Sequence, residues 1–197
     1  MSSVDIFRQH GAIHLARLIS PDVCKFMTHL LMIKGAYGVG DDPQVPGSFG
    51  VGHGEFACET LLESLWPVVE DAVGEELIPT YSYARLYVNG NTLEKHTDRP
   101  SCEVSMTLQL GRSHHYSWPI FMGNRRYDLA EGDGVIYSGC DIEHWRDKCD
   151  GPPDYYSGQV FLHYVRAKGR YAEFAGDRRW SGEHPFVRNR VRKMYNK

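Results

Sequence analysis

The chain has 197 residues, 42% of them apolar, and a formal net charge of −3. That length and apolar content suit one domain with a substantial core. No run of about 18 apolar residues offers a membrane span, and the N-terminus Met1-Ser-Ser-Val-Asp-Ile-Phe-Arg8 lacks the apolar stretch of a signal peptide. Five cysteines, odd in number and without a C-x-x-C pair, argue against a disulfide framework and a thiolate zinc knuckle and fit a reducing compartment, so a soluble, cytoplasmic protein is expected.

Ser20-Pro21-Asp22, followed by Val23, Phe26, Met27, Leu30 and Leu31, supplies an N-cap hydroxyl, a proline at the first helical position and apolar residues at helical spacing, which predicts a helix start. The segment Gly35 to Gly54 is rich in Gly and Pro, carries Tyr37 and Phe49 without apolar periodicity, and reads as a long loop, either a lid over a substrate or a passive surface loop. A second helix is expected from about Cys58 to Val73, broken or restarted at Trp66-Pro67. From Thr80 onward the pattern changes to short strands at 80–88, 102–110, 115–122, 125–129, 134–138, 143–146 and 158–165. Gly, Pro and Asp clusters punctuate them, including Glu131-Gly132-Asp133-Gly134, as in an antiparallel meander or two-sheet barrel. The expected organisation is helical support over about 1–79, a β core over about 80–166 and a basic tail over about 178–197.

That tail holds seven Arg or Lys against one Glu, so it carries +6 while the remainder carries −9. A solvated terminal segment is the ordinary reading of such a run; contact with nucleic acid, or docking on the chain's own acidic body, is the alternative.

The chemistry concentrates at His96, Asp98 and His144. On an extended segment, residues two apart share a face, so His96 and Asp98 can approach one metal from one side while His144, 46 residues beyond Asp98, arrives from another strand. Two imidazoles and a carboxylate on one face of an octahedral metal leave three positions open, the arrangement of non-heme Fe(II) oxygenases. Ten His and thirteen Asp make H-x-D weak evidence alone, with about 0.66 expected by chance (10 × 13/197). A competing pair, His53-Gly54-Glu55, sits in a glycine-rich stretch that reads as loop. His96 and Asp98 differ in context: the run Thr80 to Val88 and the Asn89-Gly90-Asn91 turn precede them, and Cys102 to Leu110 follows.

Four segments in this order, Arg85 to Asp98, Val104 to Leu110, Gly132 to Tyr137 and Glu143 to Arg146, resemble the 2-oxoglutarate and Fe(II)-dependent oxygenases, especially their prolyl-hydroxylase-like branch, over roughly residues 80 to 166. The resemblance implies a double-stranded β-helix, a cupin-like jelly roll, which the order of helices first and strands after also suggests: a mainly β fold with flanking N-terminal helices. It implies His96, Asp98 and His144 as iron ligands, with His163 on the apolar run Val160 to Val165 as a competitor for the third place. It also implies Fe(II), 2-oxoglutarate and dioxygen as cofactor and co-substrates, ascorbate as a reductant, and hydroxylation of a small-molecule or peptide substrate with release of succinate and CO2. A prolyl residue is the closest substrate analogy.

Tyr87, nine residues before His96, matches a family position whose phenol touches 2-oxoglutarate, and Arg85 shares its strand face. The family's usual cation on the strand after the distal histidine is missing from Gly158 to Val165. Arg146, two residues beyond His144, is then the first candidate to bind the far carboxylate, ahead of Arg85, with Gln109 and Gln159 as neutral partners and a surface pairing of Arg146 with Asp147 or Asp141 as the alternative. Two other functions fit the residues. One is a metal-binding cupin-like sensor or binding module without oxidase activity. The other is a nucleobase demethylase, suggested by the basic tail and by Tyr116, Trp118 and Trp145 near the expected mouth; the acidic body argues against a nucleic-acid partner. The oligomeric state is not readable.

Overall fold

A computed structural model describes residues 1–37, 41–52 and 54–178. The basic tail beyond Arg178 and the competing His53 lie outside the described residues.

Three α-helices lie within the first 73 residues, interleaved with strands. α1 (Ser3–His10) starts at a capping box in which Ser2 and Asp5 exchange side-chain and backbone hydrogen bonds, and ends at Gly11 with φ +64°. α2 (Pro21–Ala36) has the expected start, with the Ser20 hydroxyl accepting from the Val23 amide and Pro21 in the first turn. α3 (Phe56–Val73) runs without interruption through Pro67, contrary to the expected break. Its buried face, Leu61, Leu62, Leu65, Trp66, Val69 and Val73, explains why: packing on the sheet outweighs the one lost backbone hydrogen bond, and Trp66 Nε1 adds a bond to the Leu77 carbonyl.

Eleven strands are described, all paired antiparallel: β1 (Ala12–Leu15), β2 (Asp41–Asp42), β3 (Val45–Val51), β4 (Leu77–Val88), β5 (Leu93–His96), β6 (Val104–Arg112), β7 (Ile120–Met122), β8 (Arg125–Tyr127), β9 (Gly134–Tyr137), β10 (His144–Arg146) and β11 (Tyr156–Arg166). They form a seven-stranded sheet in the order β1-β9-β6-β11-β4-β3-β2 and a four-stranded sheet in the order β5-β10-β7-β8. Two facing antiparallel sheets behind a layer of helices form the expected jelly roll.

Period-two alternation divides the large sheet cleanly. Ala84 and Leu86, Met106 and Leu108, and Val160 and Leu162 face the helices in one apolar core with Met27, Leu31 and α3. The residues between them, Tyr83, Arg85 and Tyr87 on β4, Ser105, Thr107 and Gln109 on β6, and Gln159, Phe161 and His163 on β11, face the interior between the sheets. Polar groups and rings at every second position therefore meet the chemistry, not the helices.

Two expectations fail outside the core. The region 1–79 contributes three strands as well as helices, and β1 pairs with β9 (Ile13 opposite Ile136). The Gly35 to Gly54 segment is not a long loop: β2 and β3 form a hairpin, and β3 adds to the sheet with Gly50 opposite Arg85. A Cβ on Gly50 would collide with the Tyr83 hydroxyl, so the glycines that disguised a strand are what lets Tyr83 cross it. Within 115–122 only Ile120–Met122 is strand.

Candidate metal centre

His96 and His144 are direct cross-strand partners in the β5–β10 pair, and their rings lie 4.3 Å apart. Asp98 follows β5, held by its amide bond to the Gly139 carbonyl at 2.8 Å. Gly139 is required there because a Cβ would collide with the Asp98 carboxylate and the Cys102 carbonyl. Each imidazole meets a backbone carbonyl through Nδ1, His96 at Glu94 (2.8 Å) and His144 at Ile142 (3.0 Å). A carbonyl only accepts, so Nδ1 carries the proton in both rings; the His144 Nε2 lone pair faces the cluster, and that of His96 accepts the Gln44 amide N–H at 3.0 Å, a bond that a metal would displace.

Those lone pairs converge on Asp98. Its Oδ1 is 3.7 Å from His96 Nε2 and 3.5 Å from His144 Nε2. Neighbouring donors around an octahedral ion with bonds of about 2.1 Å stand about 3 Å apart, so small inward shifts would complete a three-donor face. Burial pushes the Asp98 carboxyl up, yet the facing histidines, His144 first and then His163 and His96, outweigh it and hold the carboxyl below its usual range. Burial and the neighbouring His144 lower the His96 pKa, favouring the neutral ring that a metal needs.

His163 does not compete for the same point. Its Nδ1 lies 2.8 Å from the Ser105 hydroxyl, which in turn donates to Asp98 Oδ2 at 3.1 Å. It braces the carboxylate from behind. Burial pushes its pKa down to about 4. A second cluster, Asp98, Cys102 and His163, has suitable atoms, but burial drives the Cys102 thiol pKa far up, which disfavours the thiolate a metal would require.

Arg146 does face inward and is 2% exposed. Its Nη1 donates to the Trp118 carbonyl at 2.5 Å, whereas Nε and Nη2 are buried without a partner. Neither Asp147 nor Asp141 pairs with it; Asp141 instead accepts from Arg170. The guanidinium lies over the rings of Trp118 (4.9 Å) and Tyr87 (5.8 Å), and burial lowers its pKa. Two idle donors on a buried cation are an unmet hydrogen-bonding demand that an anion can satisfy.

Arg85 is already engaged. Its Nε donates to Asp42 Oδ2 at 2.6 Å, Nη1 to the Tyr87 hydroxyl at 2.9 Å and Nη2 to Gln44 Oε1 at 2.8 Å. Tyr83 also donates to Asp42, at 2.5 Å. Gln109 and Gln159 bond one another at 2.6 Å, with Ser157 and Thr107 completing their shell. Sequence reasoning missed Asp42 and Gln44 because both lie in the stretch read as loop. Sequence reasoning also passed over Tyr83 and Ser105, which strand alternation extended from Arg85 and along Val104 to Leu110 could have found.

The ligand cluster lines a pocket of about 300 Å³, walled also by Tyr81, Tyr83, Phe161 and Tyr137, with Gln44, Arg85, Thr97, Arg99 and His163 among its polar groups. The aromatics expected at the mouth lie elsewhere. Trp118 is buried against Tyr87, Trp145 stacks on Phe121 outside the barrel, and Tyr116 packs on Tyr155. Alternation explains Trp145: it lies between the two inward residues His144 and Arg146.

No family model matches the sequence, and no curated protein is similar to it at a significant level. Solved structures are similar in fold. A prolyl-4-hydroxylase from Pseudomonas putida superposes with a TM-score of 0.61 at 16% identity, covering 82% of this chain and 96% of its own. The non-heme α-ketoglutarate-dependent epimerase SnoN from nogalamycin biosynthesis superposes at 0.64 with 10% identity, covering 92% and 90%. HygX from Streptomyces hygroscopicus, solved with nickel and 2-oxoglutarate bound, superposes at 0.62 with 10% identity, covering 82% and 85%. The chain therefore has the double-stranded β-helix fold of the 2-oxoglutarate and Fe(II)-dependent oxygenases.

Proposed function

We propose that the chain is an Fe(II)- and 2-oxoglutarate-dependent oxygenase that hydroxylates an organic substrate. One observation carries the reading: three converging donors, His96, Asp98 and His144, stand on the same inward face as a buried arginine whose Nε and Nη2 have no partner. Two residues along a strand span about 7 Å, an interval that a five-carbon dicarboxylate anchored at the ligand cluster can bridge to Arg146. The donor set and the idle guanidinium both fit the pair of ligands.

With iron bound, the site would offer the chemistry of dioxygen activation coupled to conversion of 2-oxoglutarate to succinate and CO2. The protein's own share is positioning. His96, Asp98 and His144 would hold the metal. Arg146 binds the far carboxylate, and Tyr87, oriented by Arg85, adds a hydroxyl beside it. Tyr81, Tyr83, Tyr137 and Phe161 wall the pocket and keep water from the reacting atoms. Ascorbate would serve as the reductant that keeps the iron ferrous.

The substrate is a small molecule or a peptide, and the likeness to a prolyl-4-hydroxylase makes a prolyl residue the first to try. A cupin-like binding module without oxidase activity leaves the idle donors of Arg146 unexplained. Nucleobase demethylation loses its aromatic motive, since Tyr116, Trp118 and Trp145 do not line the pocket. The test is succinate formation coupled to 2-oxoglutarate loss with Fe(II), abolished in His96→Ala and Asp98→Ala. Turnover that survives both substitutions would reject the assignment.

A further inference from the structure

Gln44 is exposed at the pocket mouth, and its amide N–H donates to His96 Nε2 at 3.0 Å; a metal bound through that nitrogen would displace this bond and release the N–H. That places it within one hydrogen-bond length of the ligand cluster, on the side open to solvent. The amide has only one sensible orientation. Arg85 is a pure donor, and its Nη2 holds Gln44 Oε1 at 2.8 Å, so the oxygen is turned away and the N–H groups face the pocket. Arg85 is fixed in turn by Asp42 at 2.6 Å, and the Gln44 backbone amide donates to Asp42 Oδ1 at 2.9 Å. The hairpin β2–β3 therefore presents a braced neutral donor beside the open face of the metal site.

The charges around that donor are all balanced. Arg85 pairs with Asp42, and Arg99 pairs through two nitrogens with Asp177 at 2.8 and 2.9 Å. On the proposed reading, a ferrous ion and the Arg146 cation together offset the Asp98 carboxylate and the two carboxylates of 2-oxoglutarate. No uncompensated charge is left among the described pocket residues to meet an ionic substrate, and an ion entering this aromatic chamber would lose hydration without a partner.

We infer that Gln44 is a substrate-positioning residue, donating an N–H to an uncharged acceptor oxygen such as an amide carbonyl, and that the reacting part of the substrate is neutral. The inference rests on the proposed iron and 2-oxoglutarate site. It assigns this selectivity to a residue outside the ligand set.

The test uses the full chain loaded with Co(II) and 2-oxoglutarate, and three proline derivatives that differ in charge: neutral N-acetylprolinamide, anionic N-acetylproline and cationic N-ethylprolinamide, in which an ethyl group on the ring nitrogen stands in for the acetyl. Binding is read from the Co(II) absorption spectrum, with no turnover required. The neutral probe should bind at least about tenfold tighter than either charged one, and Gln44→Leu should remove about tenfold of that affinity while Co(II) and 2-oxoglutarate still bind. Equal binding of all three, binding of none, or full affinity in Gln44→Leu overturns the inference. Failure of Co(II) or 2-oxoglutarate to bind would instead overturn the underlying site. Gln44→Asn, a shorter amide on the same strut, should recover part of the neutral probe's affinity; recovery equal to Gln44→Leu would contradict a donor role.

Discussion

His144 stands directly across the β5–β10 pair from His96, so the two imidazoles are brought together by strand register. Asp98 lies beyond the end of β5 and depends on Gly139 for its place. Gly139→Ala should therefore shift both the Cys102 backbone and the carboxylate, lowering the melting temperature and weakening Co(II) binding of the protein that remains folded by about 10- to 100-fold, as loss of outer support at metal sites does. Spectroscopic titration with Co(II) checks this; unchanged affinity would mean the carboxylate does not complete the site.

Arg146 gives a sharper separation of function from stability. Replacing a buried, half-satisfied cation with an apolar side chain of similar length is often neutral or stabilising by about 1–4 kcal/mol. Arg146→Met should melt no lower than the parent protein. The parent, with Co(II) present, should gain about 2.7 kcal/mol from 2-oxoglutarate at a hundred times its dissociation constant, and the variant should gain almost nothing. Thermal melts with and without 2-oxoglutarate decide, and an equal gain in both proteins would remove Arg146 from the co-substrate site.

Asp42 should behave in the opposite way. It is 4% exposed and neutralises Arg85 while accepting from Tyr83. Asp42→Asn leaves a buried cation short of its counter-charge and should cost about 3–5 kcal/mol in chemical denaturation, besides loosening Tyr87 and Gln44. A loss below about 1 kcal/mol would show that the strut is dispensable.

How much of this was legible follows from which signals are local. The i, i+2 spacing of His96 and Asp98, the turn before β9 and the inward placement of Arg146 two residues after His144 are all written in strand alternation. The β2–β3 hairpin was not, because Pro46, Gly47 and Gly50 erase its alternation. Gly50 is there for Tyr83, a residue 33 positions away in the sequence. The engagement of Arg85 followed from that omission, since its partners Asp42 and Gln44 belong to the hairpin. The unbroken α3 likewise depends on packing between distant segments, which outweighs the local effect of Pro67.

His163 makes a pH prediction for the metal-free protein. Its pKa falls from 6.5 to about 4 in the folded chain through burial. The unfolded state thus binds the extra proton first as pH drops, so stability attributable to the neutral ring is intact above pH 6.5, erodes below it and is fully lost under pH 4. His163→Gln should flatten the stability profile across that window by about 3 kcal/mol relative to the parent, measured by denaturation at successive pH values in chelator. Parallel profiles would contradict a buried neutral histidine.

The central claim is that His96, Asp98 and His144 hold an iron that works with 2-oxoglutarate. The most direct measurement is anaerobic addition of 2-oxoglutarate to the Fe(II)-loaded protein, monitored by absorption for a metal-to-ligand charge-transfer band, then exposure to air with succinate quantified. The band should appear in the parent, be absent from His96→Ala, and fade in air as succinate forms. A parent protein that binds iron yet shows neither band nor succinate would contradict the account.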